Sequence, residues 1–308
     1  MEPLTAERLT GTWAAVLLPL GIDDRIDTTR LGDEVEALAD AGVDGIYTHG
    51  TAGELHAVDD DEFDMVSRLV AEICERRSLP FQIGASHMSA QLSLGRIRRA
   101  AALRPSAIQV MLPDWCPVSD DEAVVALDRM SAEAGTVPLV LYNPPHAKVQ
   151  LAPASLARLA RSVPQLIGVK VTGGDAEWFA YMRLHAPQLA LFTAGQRLAS
   201  CRPLGAAGAY TNVACLNPAG AVRWFTMMDD EPESALALEE RINQFLDAHI
   251  LPLAMLGYSN PALDKALAYV GAWADIGIRV RWPYRSVPEE VAFELRSVAR
   301  RLMPELFA

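Results

Sequence analysis

The stretch that decides the fold is residues 137–172, VPLVLYNPPHAKVQLAPASLARLARSVPQLIGVKVT. It contains two short apolar runs, Leu139–Tyr142 and Ile167–Val171, separated by the segment Ala152–Ser162, whose apolar residues recur at helical spacing. Both runs are almost continuously apolar, which is typical of strands buried on both faces of a parallel sheet. The stretch therefore predicts a strand–helix–strand unit with parallel strands.

The same alternation continues outward in both directions along the chain. We predict six further strands, at Ala14–Pro19, Gly45–Thr48, Phe81–Ala85, Ala107–Leu112, Leu191–Thr193 and Ala209–Val213, with helices between them that include Leu31–Ala41, Asp61–Arg76 and Asp121–Ala134. Eight such units, at intervals of roughly 20 to 35 residues, favour a closed (β/α)8 TIM barrel, and an open doubly wound sheet is the alternative. The sequence contains neither GxGxxG after a predicted strand nor GxxxxGK followed by Ser or Thr. The nucleotide-binding version of an open sheet therefore lacks its main sequence motifs.

The pattern changes in the last third of the chain. After about Asn217 the strand signal stops, and the remaining residues read as helices interrupted by prolines. We therefore predict a barrel at residues 1–217 and a C-terminal helical extension at residues 218–308.

Composition and charge exclude several classes of protein. The 308 residues are 51% hydrophobic and 21% charged, an ordinary globular balance with enough apolar material for a core. The 27 Lys and Arg against 39 Asp and Glu give a net charge of −12, and no basic run offsets it, so we expect no nucleic-acid partner. The longest apolar stretches, such as Trp13–Leu20, are shorter than the roughly 20 residues that cross a bilayer, so we expect no membrane partner.

The cysteines and the N-terminus bear on the compartment. Four cysteines are widely spaced without a CxxC pair, which fits neither a disulfide framework nor a zinc site. Residues 1–9 carry three charges and no long apolar run, so they do not read as a signal peptide. We expect a soluble protein of a reducing compartment, the cytoplasm.

In a barrel, catalytic side chains come from the carboxyl ends of the strands. Lys170 stands at the end of the otherwise uncharged run Leu166–Val171. The period of two places it on the same face as Gly168, which predicts room inside the barrel for a ligand. Burial would lower the pKa of the amine towards a range in which it attacks carbonyl groups. Two interpretations remain at this point: a Schiff-base lysine, or a structural lysine paired with a carboxylate.

Two further motifs end predicted strands. Tyr142 closes the fifth strand, where a phenol can transfer protons, although a core tyrosine with its hydroxyl at the rim has the same pattern. The turn Gly50–Glu54, with the sequence GTAGE, follows the second strand. Its consecutive amides and the Thr51 hydroxyl are suited to a carboxylate or a phosphate, although glycine-rich turns also occur for purely geometric reasons.

Taken in order, these motifs resemble the dihydrodipicolinate synthase/N-acetylneuraminate lyase family. The resemblance rests on Gly50-Thr51-Ala52-Gly53-Glu54, Tyr142-Asn143-Pro144-Pro145 and Gly168-Val169-Lys170. It extends to Gly195, to Gly205-Ala206-Ala207-Gly208-Ala209, and from Asn260-Pro261 through Lys265-Ala266-Leu267 to Arg281-Trp282-Pro283. It covers nearly the whole chain.

The resemblance implies a (β/α)8 barrel with a C-terminal helical extension, assembled as a homotetramer or dimer. It implies a class I lyase without a metal or an organic cofactor. By the resemblance, Lys170 forms an imine with pyruvate or a related 2-oxo acid, Tyr142 relays protons, and the turn at Thr51 holds the carboxylate. The substrate-binding residues that we predict are Gly50, Thr51, Ala52, Gly195, Tyr210 and Trp115.

Three departures from the family pattern concern the substrate. The second threonine of the first motif is Ala52, and the second member of a tyrosine pair after Pro113 is Trp115, which cannot complete a proton relay. The arginine that recognises the carboxylate of the aldehyde substrate in dihydrodipicolinate synthases is Ala147, flanked by His146 and Lys148. These departures argue against lysine biosynthesis. His146 and Lys148 either bind another polar group or are solvated loop residues, and Trp115 and Trp178 either line an apolar pocket or pack elsewhere.

Three functional hypotheses follow. The first is a Schiff-base aldolase or hydro-lyase that acts on pyruvate and an aldehyde, or on a sugar-derived 2-oxo acid. The second is a catalytically silent paralogue that binds a 2-oxo acid as a sensor. The third is a phosphate-binding barrel enzyme such as an isomerase, which only the glycine-rich turns support.

Overall fold

The computed structural model describes all residues, 1–308, and contains a closed barrel of eight parallel strands. Each strand pairs with the next along the chain, and the eighth pairs with the first. The predicted (β/α)8 barrel is confirmed, and the open sheet is excluded. The strands are β1 (Gly11–Ala15), β2 (Gly45–Thr48), β3 (Phe81–Gly84), β4 (Ala107–Val110), β5 (Leu139–Tyr142), β6 (Leu166–Lys170), β7 (Ala190–Thr193) and β8 (Gly208–Tyr210).

Thirteen helices accompany the strands. Those that alternate with the strands are α1 (Thr28–Asp40), α2 (Asp60–Arg77), α3 (Ala90–Ala102), α4 (Asp120–Ala134), α5 (Pro153–Ser162), α6 (Ala176–His185), α7 (Leu198–Cys201) and α8 (Asn212–Leu216). Those that follow are α9 (Pro218–Asp230), α10 (Pro232–Phe245), α11 (Leu251–Met255), α12 (Asn260–Gly271) and α13 (Glu289–Leu302). The predicted C-terminal helical extension is thus present. No helix combines the length and the apolar character that a bilayer span requires.

Local side-chain bonds explain where two strands differ from the prediction. β1 begins earlier than predicted, at Gly11. It also ends earlier, because the backbone leaves the ladder after Val16 and the amide of Leu17 donates to Glu34 Oε1 at 2.7 Å. β8 is shorter than predicted, because the Thr211 hydroxyl accepts from the amide of Val213 and caps α8 instead.

The helical extension packs against the barrel through α9 and α12. α9 contacts β1 and α8, while α12 packs between α8 and α13. The first turn of α12 lies at the carboxyl ends of the strands, since Ser259, Asn260 and Pro261 line the cavity there. The extension therefore contributes residues to the mouth of the barrel.

The expectation that Gly168 leaves space for a ligand is wrong. A Cβ atom on Gly168 would lie 2.7 Å from Cδ2 of Leu9 and 3.2 Å from the carbonyl oxygen of Ala190. Leu9 is fully buried. The missing side chain at residue 168 therefore makes room for a leucine that precedes the first strand.

Candidate active site

The amine of Lys170 lies among three tyrosine rings. Lys170 is the last residue of β6 and pairs in register with Tyr142 of β5. Its Nζ lies 4.2 Å from the ring centroid of Tyr142, 4.6 Å from that of Tyr47 and 5.0 Å from that of Tyr210. These tyrosines end or nearly end β5, β2 and β8, so three separate strands form one aromatic cage around the amine.

This environment changes the ionisation of the amine. Burial among the surrounding rings lowers the pKa of Lys170 from 10.5 to about 8, while the negative charge of Asp264 opposes the shift. The Lys170 side chain still retains partial solvent exposure. A far larger fraction of the amine is therefore neutral near pH 7 than in an exposed lysine, and a neutral amine is the form that attacks carbonyl carbons.

The three tyrosine hydroxyls make different contacts. The Tyr142 hydroxyl accepts from Thr51 Oγ1 at 3.4 Å, and that of Tyr47 accepts from Lys170 Nζ at 3.3 Å. The Tyr210 hydroxyl donates to Gln82 Oε1 at 2.8 Å. Burial raises the pKa of all three phenols, so each remains protonated at neutral pH.

The turn Gly50–Glu54 stands beside the cage. The amides of Glu54 and Leu55 close it by donating to the carbonyl oxygens of Thr51 and Gly50, at 3.1 and 3.3 Å. The amides of Thr51, Ala52 and Gly53 donate to no atom of the chain. Three consecutive unpaired amides are a ready site for a carboxylate. Gly50 is required here, because a Cβ atom would lie 2.5 Å from the Tyr47 ring.

A buried ion pair fixes the end of this turn. Glu54 Oε1 accepts from Lys265 Nζ at 2.5 Å, and its other oxygen accepts from the amide of Arg281 at 2.8 Å. Glu54 adopts a left-handed backbone with φ of 51°. Both charged side chains are excluded from water. Helix α12 is thereby tied to the turn that carries Thr51.

A cavity of about 520 Å3 opens at the carboxyl ends of the strands. Its 23 lining residues include Thr51 and Tyr142; Lys170 is not among them, but its Nζ lies 4.2 Å from the ring centroid of Tyr142. The others are Leu55, His56, Val58, Ser86, His87, Met88, Met111, Leu112, Pro113, Asp114, Pro117, Val118, Asn143, Pro144, His146, Ala147, Val149, Ser259, Asn260, Pro261 and Tyr284.

The structure does not bring all of the predicted site residues to this cavity. Trp115 lies outside it and is 70% exposed, because Lys148 Nζ donates to the Trp115 carbonyl at 2.7 Å and lies over its ring. Gly195 packs instead against Thr211, whose Oγ1 would be 2.1 Å from a Cβ atom. Tyr210 joins the cage through its ring, and Ala52 is buried in the turn.

The flanking residues of Ala147 and the second tryptophan also have distinct positions. His146 lines the cavity, whereas Lys148 is engaged by Trp115 outside it. Trp178 packs edge-on against Phe179 and covers Gly174, away from the cavity. Of the two alternatives for Trp178, packing is therefore the one observed.

Two residues of the site are not identified by the sequence motifs. One is Tyr47, whose hydroxyl is the hydrogen-bond partner of the Lys170 amine. The other is Asp264, the carboxylate whose charge acts on Lys170; burial raises the pKa of Asp264 to about 7. The available signals were a phenol inside a barrel strand and a charge within the apolar run of α12.

The buried His49, which precedes the turn Gly50–Glu54, should make the fold sensitive to acid. It is buried with Nε2 3.1 Å from Ser67 Oγ, and burial, assisted by the charge of Arg96, lowers its pKa to about 3. Below pH 6.5 His49 binds a proton in the unfolded chain but stays neutral in the folded chain, so the free energy of unfolding falls as the pH falls. Between pH 6.5 and 5 this histidine should cost about 1.6 kcal/mol of unfolding free energy.

Urea unfolding at the two pH values checks this expectation. His49→Asn is the matched variant, because asparagine tolerates the positive φ of 50° at this position. Its pH-dependent loss should be smaller than that of the unaltered chain by about 1.6 kcal/mol. Equal losses in the two proteins would contradict the assignment.

Fold and site together define a (β/α)8-barrel protein with a desolvated lysine amine at the carboxyl end of its sixth strand. A profile of the Dihydrodipicolinate synthetase family matches residues 8–301. The chain belongs to this family, whose members are class I, Schiff-base-forming lyases and aldolases.

Curated relatives that match part of the chain are 4-hydroxy-tetrahydrodipicolinate synthases. The chain is 28% identical over 161 residues, 52% of its length and 54% of the relative's, to the 4-hydroxy-tetrahydrodipicolinate synthase of Acidiphilium cryptum. It spans between 54% and 66% of the length of the first five curated relatives that it matches.

Solved structures show the same fold. One is YagE of E. coli in complex with pyruvate, with a TM-score of 0.84, 22% identity, and coverage of 96% of this chain and 98% of that chain. Another is CdNal of Clostridium difficile in complex with mannosamine, with a TM-score of 0.82, 19% identity, and coverage of 97% and 99%.

Proposed function

We propose that the chain is a class I lyase in which Lys170 forms an imine with pyruvate or a related 2-oxo acid. The reaction would be aldol cleavage or condensation, or dehydration, of a 2-oxo acid. The observation that carries the proposal is the Lys170 amine, with its pKa lowered to about 8, at 4.2 Å from the ring of Tyr142. Family membership supports the reaction class.

The geometry supports a sequence of steps. The substrate carboxylate binds the free amides of the turn and the Thr51 hydroxyl, which directs C2 towards Lys170. Neutral Nζ attacks C2, the carbonyl oxygen takes up two protons and leaves as water, and a protonated imine remains. Tyr142, hydrogen-bonded to Thr51, is placed to transfer these protons. The imine withdraws electrons, so a C3 proton or a C3–C4 bond can then be lost.

A binding protein without turnover is the second candidate, and one observation favours it. The hydroxyl relay beyond Tyr142 contains only Thr51, because residue 52 is alanine and Trp115 lies outside the cavity. Such a protein would bind a 2-oxo acid as a sensor. It would form the imine without releasing a product.

Borohydride reduction in the presence of pyruvate tests the proposal. We expect one reduced pyruvyl adduct per chain by intact mass, and none in Lys170→Ala. Lys148→Ala is the matched control, because this lysine is exposed and lies outside the cavity, and its adduct should persist. Absence of an adduct with pyruvate and other 2-oxo acids would refute the imine. An adduct without turnover on any aldehyde or 2-oxo acid would favour the sensor.

The pH profile of adduct formation should depend on Asp264. The negative charge of Asp264 stabilises the ammonium form of Lys170 and raises its pKa. Asp264→Asn should therefore lower that pKa further, shift the midpoint of adduct formation below about 8, and increase the rate at pH 7. Asp114→Asn, in the outer wall of the cavity, is the control and should leave the midpoint unchanged. A midpoint that stays or rises in Asp264→Asn would contradict this electrostatic coupling.

We further propose that the protein is a homo-oligomer, a tetramer or a dimer, and that it works in the cytoplasm. The surface carries large exposed apolar side chains, including Leu184, Met255 and Phe293, which a subunit interface would cover. Four free cysteines support a reducing compartment. Light scattering after size exclusion tests the first proposal, and a mass of 33.4 kDa would contradict it.

A further inference from the structure

Apart from its histidines, the cavity is lined by no side chain that can carry a positive charge. None of its 23 lining residues is lysine or arginine, and its one carboxylate is Asp114. Burial lowers the pKa of His56 and of His87, which disfavours their charged forms. A second carboxylate on a bound molecule would therefore meet a negative group and find no lysine or arginine to pair with it.

Two cationic side chains near the cavity are already engaged in other contacts. Lys148 follows Ala147 directly, but its Nζ donates to the Trp115 carbonyl and lies over the Trp115 ring. Arg281 donates to the carbonyl of Ala57 and pairs with Glu62. Neither residue lines the cavity.

The same cavity offers an apolar surface of adaptable shape. Met88, Met111, Leu112, Val118 and Val149 all line it. Methionine side chains adjust to irregular apolar partners. The volume of about 520 Å3 falls within the roughly 300–1,000 Å3 that is usual for drug-sized ligands. Pyruvate alone would leave most of it unfilled.

We propose that the site takes 2-oxo acids whose far end is uncharged and apolar, and hence uncharged apolar aldehydes as the second substrate. This inference rests on the proposed function. C3 of the Lys170–pyruvate enamine bonds to the aldehyde carbon, and the aldehyde oxygen takes a proton and becomes a hydroxyl. Water then hydrolyses the imine, which frees Lys170 and releases a 4-hydroxy-2-oxo acid. Cleavage is the reverse.

Borohydride trapping with three 2-oxo acids tests the inference at pH 8, where histidine side chains are normally neutral. The probes are pyruvate, 2-oxo-4-phenylbutanoate and 2-oxoglutarate. We expect 2-oxo-4-phenylbutanoate to half-saturate adduct formation at a concentration at least tenfold lower than 2-oxoglutarate does. Equal or better trapping by 2-oxoglutarate would overturn the inference and leave the imine chemistry intact. No adduct with any probe, pyruvate included, would refute the proposed function and this inference with it.

Two variants at one position isolate charge from bulk. Ala147 lines the cavity, so Ala147→Arg places a cation on its wall, and Ala147→Gln adds similar bulk without charge. Ala147→Arg should improve trapping by 2-oxoglutarate at least tenfold relative to Ala147→Gln, when each value is expressed relative to the trapping of pyruvate by the same variant. Identical behaviour of the two variants towards 2-oxoglutarate would contradict the missing cation as the basis of selectivity.

Discussion

Tyr142→Phe is expected to lower kcat by about 10²–10⁴-fold, while Lys170 still forms a trappable adduct with pyruvate. The substitution keeps the ring 4.2 Å from Nζ and removes only the hydroxyl that accepts from Thr51. Proton transfers to the departing oxygen and at C3 would then depend on water. The pKa of Lys170 is lowered mainly by burial, so the amine should remain nucleophilic. Steady-state turnover and borohydride trapping, measured on the same preparation, separate the two effects.

The other two tyrosines of the cage provide the control variants. Tyr210 presents a ring to the same amine, but its hydroxyl donates to Gln82, so Tyr210→Phe should reduce kcat less than tenfold. Tyr47→Phe removes the oxygen that accepts from Nζ and should act mainly on the pH dependence of trapping. Loss of turnover of equal size in all three variants would mean that the hydroxyl of Tyr142 has no special role.

The reason Lys170 and Tyr142 can be predicted from the sequence is that both end strands. An uncharged run that stops in a lysine or a tyrosine identifies the barrel mouth without any knowledge of tertiary contacts. Tyr47 lies one residue before the end of β2, and its partner lies 123 residues away on β6. Strand periodicity gives the face on which a residue lies but does not say which residue stands opposite across a barrel. The acceptor of the lysine proton was therefore visible only in the structure.

Gly168 and Trp115 are two positions whose surroundings the local sequence pattern does not determine. A small residue on an inward face predicts space, but Leu9, from outside the strands, fills that space. A tryptophan after a strand predicts an aromatic wall of the cavity, but the direction of a loop side chain depends on the contacts that it makes. Here the ammonium of Lys148, from the next βα loop, holds Trp115 outside the cavity. Both outcomes depend on side chains remote in sequence, which no local pattern encodes.

Lys265→Met is expected to lower the free energy of unfolding by about 3–5 kcal/mol, because it leaves the carboxylate of Glu54 buried without its cation. Lys265 and Glu54 are both excluded from water, and Nζ also donates to the carbonyl of Arg279 at 2.5 Å. The buried acid Glu34 lies near the same amine, whose charge favours the ionised form of Glu34, while burial raises the pKa of that acid. Loss of the ammonium therefore removes the centre of a buried network.

A double-mutant cycle in urea, at one fixed protein concentration, measures the pair. Glu54→Gln combined with Lys265→Met should cost less than the sum of the single losses, because the second change removes the charge that the first left unpaired. Lys148→Met, at an exposed lysine, is the matched control and should change stability by no more than about 0.5 kcal/mol. Additive losses, or a single loss below about 1 kcal/mol for Lys265→Met, would contradict the ion pair as the tie between α12 and the turn that carries Thr51.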